Sequence, residues 1–322
     1  MNKLYLIAIS GVVAAGTAAA SVTPALLNLV MPDATVVSGM NVAQSVTSPF
    51  GQYILSQMQS NDTGFLQFIS STGFDPRKDL QEILAATPST SSTTHAALIL
   101  GRGVFQPAMI IGAATEKGGT IANYRGFSLI GPPANQTGEN ITLTFLDGAT
   151  AAMGDVASVK SAIDRKLAGS TFSGALAQTA VAVSGTNSAW FATTTPLSDF
   201  MSSKQAGNLG GVAQSPLMQS VQSASGGVLF SNAGITLSAD AVTASPQNAQ
   251  ALVDVLKFFI GMIAGNANAP ANVASVASSA QFNVNGSTAH ISLMLAEAQA
   301  EQLLMPQNGA KKAIRKAPVV RQ

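Results

Sequence analysis

No cysteine occurs anywhere in the 322-residue chain. That excludes disulfides, thiolate metal sites, a cysteine nucleophile and lipidation at an N-terminal cysteine. Charge is scarce as well. Asp, Glu, Lys and Arg make up 10% of the residues, against about 25% in ordinary soluble domains. A nucleic-acid binder would need a basic stripe to neutralise phosphates, which so weakly charged a surface suits poorly, so no nucleic-acid partner is expected. Only two histidines occur. A metal site ordinarily takes three or four ligands from His, Cys and carboxylates. His95 and His290 are therefore read as exposed or structural groups, and no metal and no cofactor is expected.

A hydrolase set is equally hard to assemble. The strained Gly-x-Ser-x-Gly elbow does not occur, and nothing in the sequence brings a histidine to a particular serine. Carboxylate pairs at helical spacing, Asp75/Asp79 and Glu297/Glu301, are the remaining route to general acid–base chemistry. Asp75 is better explained as a helix cap, and Glu297/Glu301 as a solvated helix face. Gly101-Arg102-Gly103 lacks the later glycine and the lysine of a phosphate loop and reads as a turn.

What is present begins with the first twenty residues. Met1-Asn2-Lys3 is a short basic start, Leu4 to Thr17 carries no charge, and Ala18-Ala19-Ala20 fits a small-residue cleavage site. Residues 1–20 thus read as a secretory signal peptide, with Ser21 as the new terminus. The other reading is an uncleaved N-terminal anchor, since no charge appears between Lys3 and Asp33. The C-terminal residues 306–322 are the opposite in character. Lys311, Lys312, Arg315, Lys316 and Arg321 crowd into a stretch without apolar periodicity. This basic tail is expected to be disordered. It suits contact with an anionic surface, but tails of like charge usually just stay solvated, and a solubilising end is the favoured reading.

Between them, strand and helix signals alternate. Residues 34–42 read as a strand, and 48–59 and 64–71 as helices, the second closed by Gly73. Asp75-Pro76 restarts a helix, with Leu80, Ile83 and Leu84 as its apolar face. His95 to Leu100 reads as a strand and Pro107 to Lys117 as a helix. Two hairpins follow, turning at Arg125-Gly126 and Asp147-Gly148. The second sets Phe145 opposite Thr150 and Leu143 opposite Ala152, with Ile141, Leu143 and Phe145 on one face. Asp155 caps a helix bearing Val156, Val159, Ile163 and Leu167, with Lys160 and Asp164 as an outer ion pair.

Past a Gly/Ser/Gln-rich stretch at 201–225 the pattern recurs. Strand 227–231 is followed by 235–242, where Ile235, Leu237, Ala239 and Ala241 face one way and Thr236, Ser238 and Asp240 the other. Ser245-Pro246 opens a helix to about Ala264. A hairpin turning at Asn285-Gly286 then pairs Phe282 with Ala289, and a short helix covers 296–304. The repetition implies an α+β fold of antiparallel sheets built from hairpins, with helices packed on one face and two related lobes, 21–200 and 201–305. Helix 247–264 is apolar nearly all round. Beside its core stripe it carries Val255, Phe258 and Met262, either buried in a sandwich or marking an interaction surface or a greasy groove between lobes.

The stretches "MPDATVVSGMNVAQSVTSPFGQYILSQM", "GFDPRKDLQEI", "GRGVF", "YRG" and "FLDGATAAMGDVASVKSAID" resemble a group of exported, largely uncharacterised bacterial envelope proteins. The resemblance covers roughly residues 30–200 and implies an exported, periplasmic or extracellular setting. It brings no reaction and no catalytic residue. The reading that follows is an exported non-enzymatic binding or assembly protein, with an envelope protein or an apolar ligand as partner. The alternatives are a carrier of an apolar ligand between lobes and a secreted hydrolase using carboxylates.

Overall fold

The computed structural model describes residues 21–58, 63–88, 97–134, 141–195, 216–265 and 271–299. Residues 1–20, read above as a signal peptide, residues 306–322, His95, Glu301 and the start of the 201–225 stretch lie outside the described residues. In chain order the elements are α1 (Pro24–Leu27), β1 (Ala34–Asn41), α2 (Val42–Ser45), α3 (Pro49–Met58), α4 (Thr63–Thr72), α5 (Pro76–Asp79), β2 (Leu80–Pro88), β3 (Leu98–Gly103) and α6 (Pro107–Glu116). Then come β4 (Gly119–Tyr124), β5 (Phe127–Pro133), β6 (Thr142–Phe145), β7 (Thr150–Gly154), α7 (Val156–Ala168), α8 (Ala175–Ser184) and β8 (Ala189–Thr193). The chain continues through α9 (Pro216–Gln219), β9 (Val221–Ser231), β10 (Gly234–Thr243), α10 (Pro246–Ala264), α11 (Ala271–Ser278), β11 (Gln281–Asn285) and β12 (Thr288–Leu295).

The strands form one sheet of twelve, ordered β11-β12-β10-β9-β8-β1-β2-β3-β7-β6-β5-β4, and every pairing is antiparallel. The fold is α+β. The pairing of β8 with β9 joins strands from 21–200 and 201–305 in the same sheet.

The pleat explains where the core lies. Residues opposite one another across a sheet share a face. One such row runs Trp190, Gly39, Leu84, Leu100, Ala152 and Thr144. Helices α1, α7 and α8 cover this face, and their Leu26, Val159, Ile163 and Ala180 are fully buried in the same cluster as Leu84, Leu100 and Trp190. The adjacent row runs Val228, Ala189, Met40, Ile83, Gly101, Ala151 and Phe145 on the opposite face. On that side α10 buries Ala249, Leu252 and Val253 against Val221 and Ala289. Helix cover is thus found on both faces, and α7 and α10 lie on opposite ones.

Several local expectations are corrected. The predicted helix through Leu80, Ile83 and Leu84 stops at Asp79, and those residues belong to β2. Glu82, Leu84 and Ala86 are buried in alternation, because β2 is flanked by β1 and β3 and sheet pairing overrides the helical spacing. Gly101-Arg102-Gly103 lies inside β3 rather than in a turn.

The β6–β7 hairpin is out of the expected register by one residue: Phe145 faces Ala151 and Leu143 faces Met153. Leu146 donates its N–H to the Thr150 carbonyl at 2.8 Å, so three residues, Asp147 to Ala149, lie between this pair. A one-residue slip exchanges faces. Thr142 and Thr144 are the buried pair, and the Thr144 hydroxyl donates to the Ser128 carbonyl at 2.9 Å. Ile141, expected on the apolar face, is exposed.

The last hairpin turns at Gly286-Ser287, not Asn285-Gly286, which sets Phe282 opposite Ile291. Gly286 has φ 56°, as the first central position of a II′ turn requires. Cross-strand partners change by two, so the expected faces are retained. The Lys160–Asp164 pair is replaced: Asp164 accepts from the Tyr124 hydroxyl at 3.0 Å and pairs with Arg125 at 3.0 Å, while the Lys160 ammonium stands 5.1 Å from the Tyr124 ring centroid.

Candidate functional site: an apolar pocket at the centre of the sheet

Polar pairs come first, because catalysis would need them. Asp75 caps α5, accepting from the Arg77 amide at 3.1 Å, and its carboxylate holds the Arg77 guanidinium at 2.9 Å through both oxygens. The guanidinium hydrogen bond, joined by the Arg77 amide, keeps the Asp75 carboxyl below its usual range against the opposing effect of burial. Asp79 accepts from the Asp75 amide at 2.7 Å. The pair is therefore a cap and its brace. His290 lies on the polar sheet face, as expected, with Nδ1 2.8 Å from Asp240 Oδ1 and both side chains substantially exposed. Among the described residues, no three His, Cys, Asp or Glu side chains gather in metal-binding range.

Two hollows stand out. One, of about 340 Å³, lies beside the two hairpin turns and is lined by Pro107, Ile111, Phe127, Phe145 and Asp147. Its one carboxylate is already engaged, by Lys166 Nζ at 2.8 Å and the Ala149 amide at 2.9 Å. The other, of about 270 Å³, is apolar on every side and is the candidate site.

Its walls follow from the sequence around the end of β1. Asn41 closes the strand and caps α2, accepting from the Gln44 amide at 2.9 Å. Asn is suited to that position because its short side chain reaches an orphan helix N–H. The chain then folds back over the sheet through α2 and α3. Gly51 permits the return, since a Cβ there would come within 1.9 Å of the Ser45 carbonyl oxygen. The sheet supplies Met40, Leu80, Ile83 and Phe230 as the floor, α2 and α3 supply Val42, Val46, Phe50 and Leu55, and α5 supplies Pro76 and Arg77. Phe50 stacks on Phe230 with centroids 5.5 Å apart and planes at 26°, which ties α3 to β9.

The two polar residues in this lining have partners elsewhere. The Ser45 hydroxyl donates to the Asn41 carbonyl at 2.6 Å. The Arg77 guanidinium is held by Asp75 and lies 5.0 Å from the Phe65 ring centroid, so its stem is what the pocket meets. The site offers hydrocarbon contact and no directed hydrogen bond.

The sequence reading placed its apolar surface on α10 instead. There Phe258 and Met262 are 64% and 49% exposed, and Val255 is half-buried. None of the three lines the pocket. The pocket's own residues are unmarked in the sequence: Leu80 and Ile83 are spaced like a helix face, and Phe230 is far from Phe50 along the chain. The one signal that pointed there was the apolar run around Phe50 and Leu55.

No family model matches the chain, and no curated protein matches it. Among solved structures, crystal form III of TP0453 resembles it with a TM-score of 0.50 at 11% identity, over 87% of this chain and 97% of that one. Crystal form I of TP0453 gives 0.45 at 11% identity, over 88% and 97%. At that identity the likeness is one of fold alone.

Proposed function

We propose that the protein is an exported, non-enzymatic binding protein of the bacterial cell envelope that takes the hydrocarbon part of a small amphiphile into the pocket between α2–α3 and the sheet. The observation that carries this reading is the pocket's lining: its only polar residues, Ser45 and Arg77, have their polar groups turned to Asn41 and Asp75. Dry apolar cavities of this order accept apolar guests, and a polar substrate would leave its own groups unpaired there. The signal-like residues 1–20 support the exported setting. Among the described residues, no helix is long and apolar enough to cross a membrane.

The test is native mass spectrometry of the chain extracted gently from its envelope fraction, followed by titration with decanoate. A retained hydrocarbon-bearing mass that decanoate displaces is expected. An apo mass together with no decanoate binding would remove the proposal.

A further inference from the structure

Among the described residues, the sheet ends in two edge strands, β4 and β11. An edge strand exposes a ladder of unpaired backbone groups, and proteins usually blunt it with charge, proline or a covering element. At β11 the covering is present: Phe282 packs into the α10 cluster, and Lys257 Nζ lies 5.9 Å from its ring centroid. β4, Gly119-Thr-Ile-Ala-Asn-Tyr124, has no charge and no proline, and residues 120–123 are exposed.

The hairpin fixes which groups point outward. Arg125 and Gly126 have φ 50° and 88°, which gives a I′ turn with Tyr124 opposite Phe127. That flanking pair exchanges both backbone hydrogen bonds, and the pattern then alternates. Tyr124, Ala122 and Thr120 therefore bond to β5, and Asn123 and Ile121 aim their N–H and C=O groups at the open edge. Ile121 also ends an apolar row across the sheet, Ile99–Met153–Leu143–Ile130–Ile121, and is 42% exposed at its end.

We infer that β4 is a self-association edge, where two copies pair antiparallel about a two-fold axis through Ile121. This register sets Ile121 against its own copy and Asn123 against Gly119, and it continues the apolar row from one molecule into the next. The ends are electrically compatible. In this register Arg125 falls opposite Lys117 of the copy, and each cation has an acid beside it, Asp164 at 3.0 Å from Arg125 and Glu116 next to Lys117 in the chain, so the meeting ends carry no net charge. A six-residue strand covers less area than the roughly 1,200–2,000 Å² of stable interfaces. The dimer is accordingly reversible, with a Kd between about 1 µM and 1 mM.

Sedimentation velocity of the full chain across that range tests it, alongside Ile121→Lys and the control Leu66→Lys, which alters a more exposed apolar residue on α4. The sedimentation coefficient is expected to rise with concentration for the parent and the control, and to stay monomeric for Ile121→Lys with an unchanged circular dichroism melt. Amide exchange at Ile121 and Asn123 should slow as concentration rises. A monomer at about 1 mM, or a dimer that Ile121→Lys leaves intact, overturns the inference.

Discussion

Trp190 packs against Gly39 across the β1–β8 ladder. A Cβ built on Gly39 would stand 2.7 Å from Trp190 Cζ2 and 2.9 Å from Cε2. The chain's one tryptophan thus occupies the space a side chain on β1 would need, in the row that continues into Leu84 and Leu100. The missing side chain lets a large ring into the middle of the sheet, where it is 6% exposed. Gly39→Ala should lower stability by about 1–3 kcal/mol through overpacking. Denaturant unfolding followed by tryptophan fluorescence checks this, since the reporter is the displaced group.

Asp155 gives a prediction about acid. It caps α7 by accepting from the Ser158 amide at 2.9 Å and the Ser158 hydroxyl at 2.6 Å. Burial pushes its carboxyl up, but the hydrogen bonds from Ser158 and nearby amides outweigh that and hold it below the usual range. A depressed folded value means the unfolded chain binds the proton more readily. The stabilisation is therefore complete above the unfolded carboxylate range, near pH 4, and is lost as pH falls through the folded value. Asp155→Ala should cost about 0.5–2 kcal/mol at neutral pH. Asp155→Asn should retain most of the cap while flattening the acid limb. Urea midpoints from pH 7 to pH 2.5 separate the two.

Much of this architecture was readable in advance. The Arg125-Gly126 turn, the Asp155 cap and the helix opening at Pro246 rest on local chemistry that operates before tertiary contacts form. The misreadings fall where the fold intervenes. Leu80, Ile83 and Leu84 suit a helix face or a strand, and only the flanking β1 and β3 decide for the strand. Thr144 is buried beneath the sheet's helices because the Ser128 carbonyl meets its hydroxyl, which no alternation pattern reveals. The pocket was hidden for the same reason: Phe50 and Phe230 meet only after β8 and β9 pair.

Glu82 was also unmarked, yet it fastens the start of the described chain. Its carboxylate accepts from the Thr23 amide at 2.9 Å, from the Thr23 hydroxyl, and from Arg102 Nε at 3.1 Å. This holds the lead into α1 over the sheet, and α1 brings Leu26 and Leu27 into the core. Glu82→Ala should cost about 1–3 kcal/mol, because Thr23 and Arg102 lose a charged partner. Arg102 is one-third exposed, so water limits the loss. Faster amide exchange at Thr23 and Leu26–Leu27, with α10 unchanged, would show that the effect is local.

The pocket makes a prediction about chain length. Its volume of about 270 Å³ is that of roughly nine water-sized units at about 30 Å³ each, and a methylene is of similar size. Each methylene added to a straight-chain carboxylate should therefore contribute about 0.8 kcal/mol, close to fourfold in affinity, until about nine or ten carbons are housed. Beyond that the chain emerges past α3 and the gain per methylene should fall away. Calorimetric titration from hexanoate to tetradecanoate locates the break. Ile83→Trp supplies the steric counterpart, since Ile83 forms the floor opposite α3. An indole there should occupy the cavity and weaken decanoate at least tenfold, while the folded signal is retained. A smooth rise through tetradecanoate with no break would mean an open apolar surface rather than a pocket of fixed depth, and an Ile83→Trp variant that still bound decanoate at full strength would place the site elsewhere.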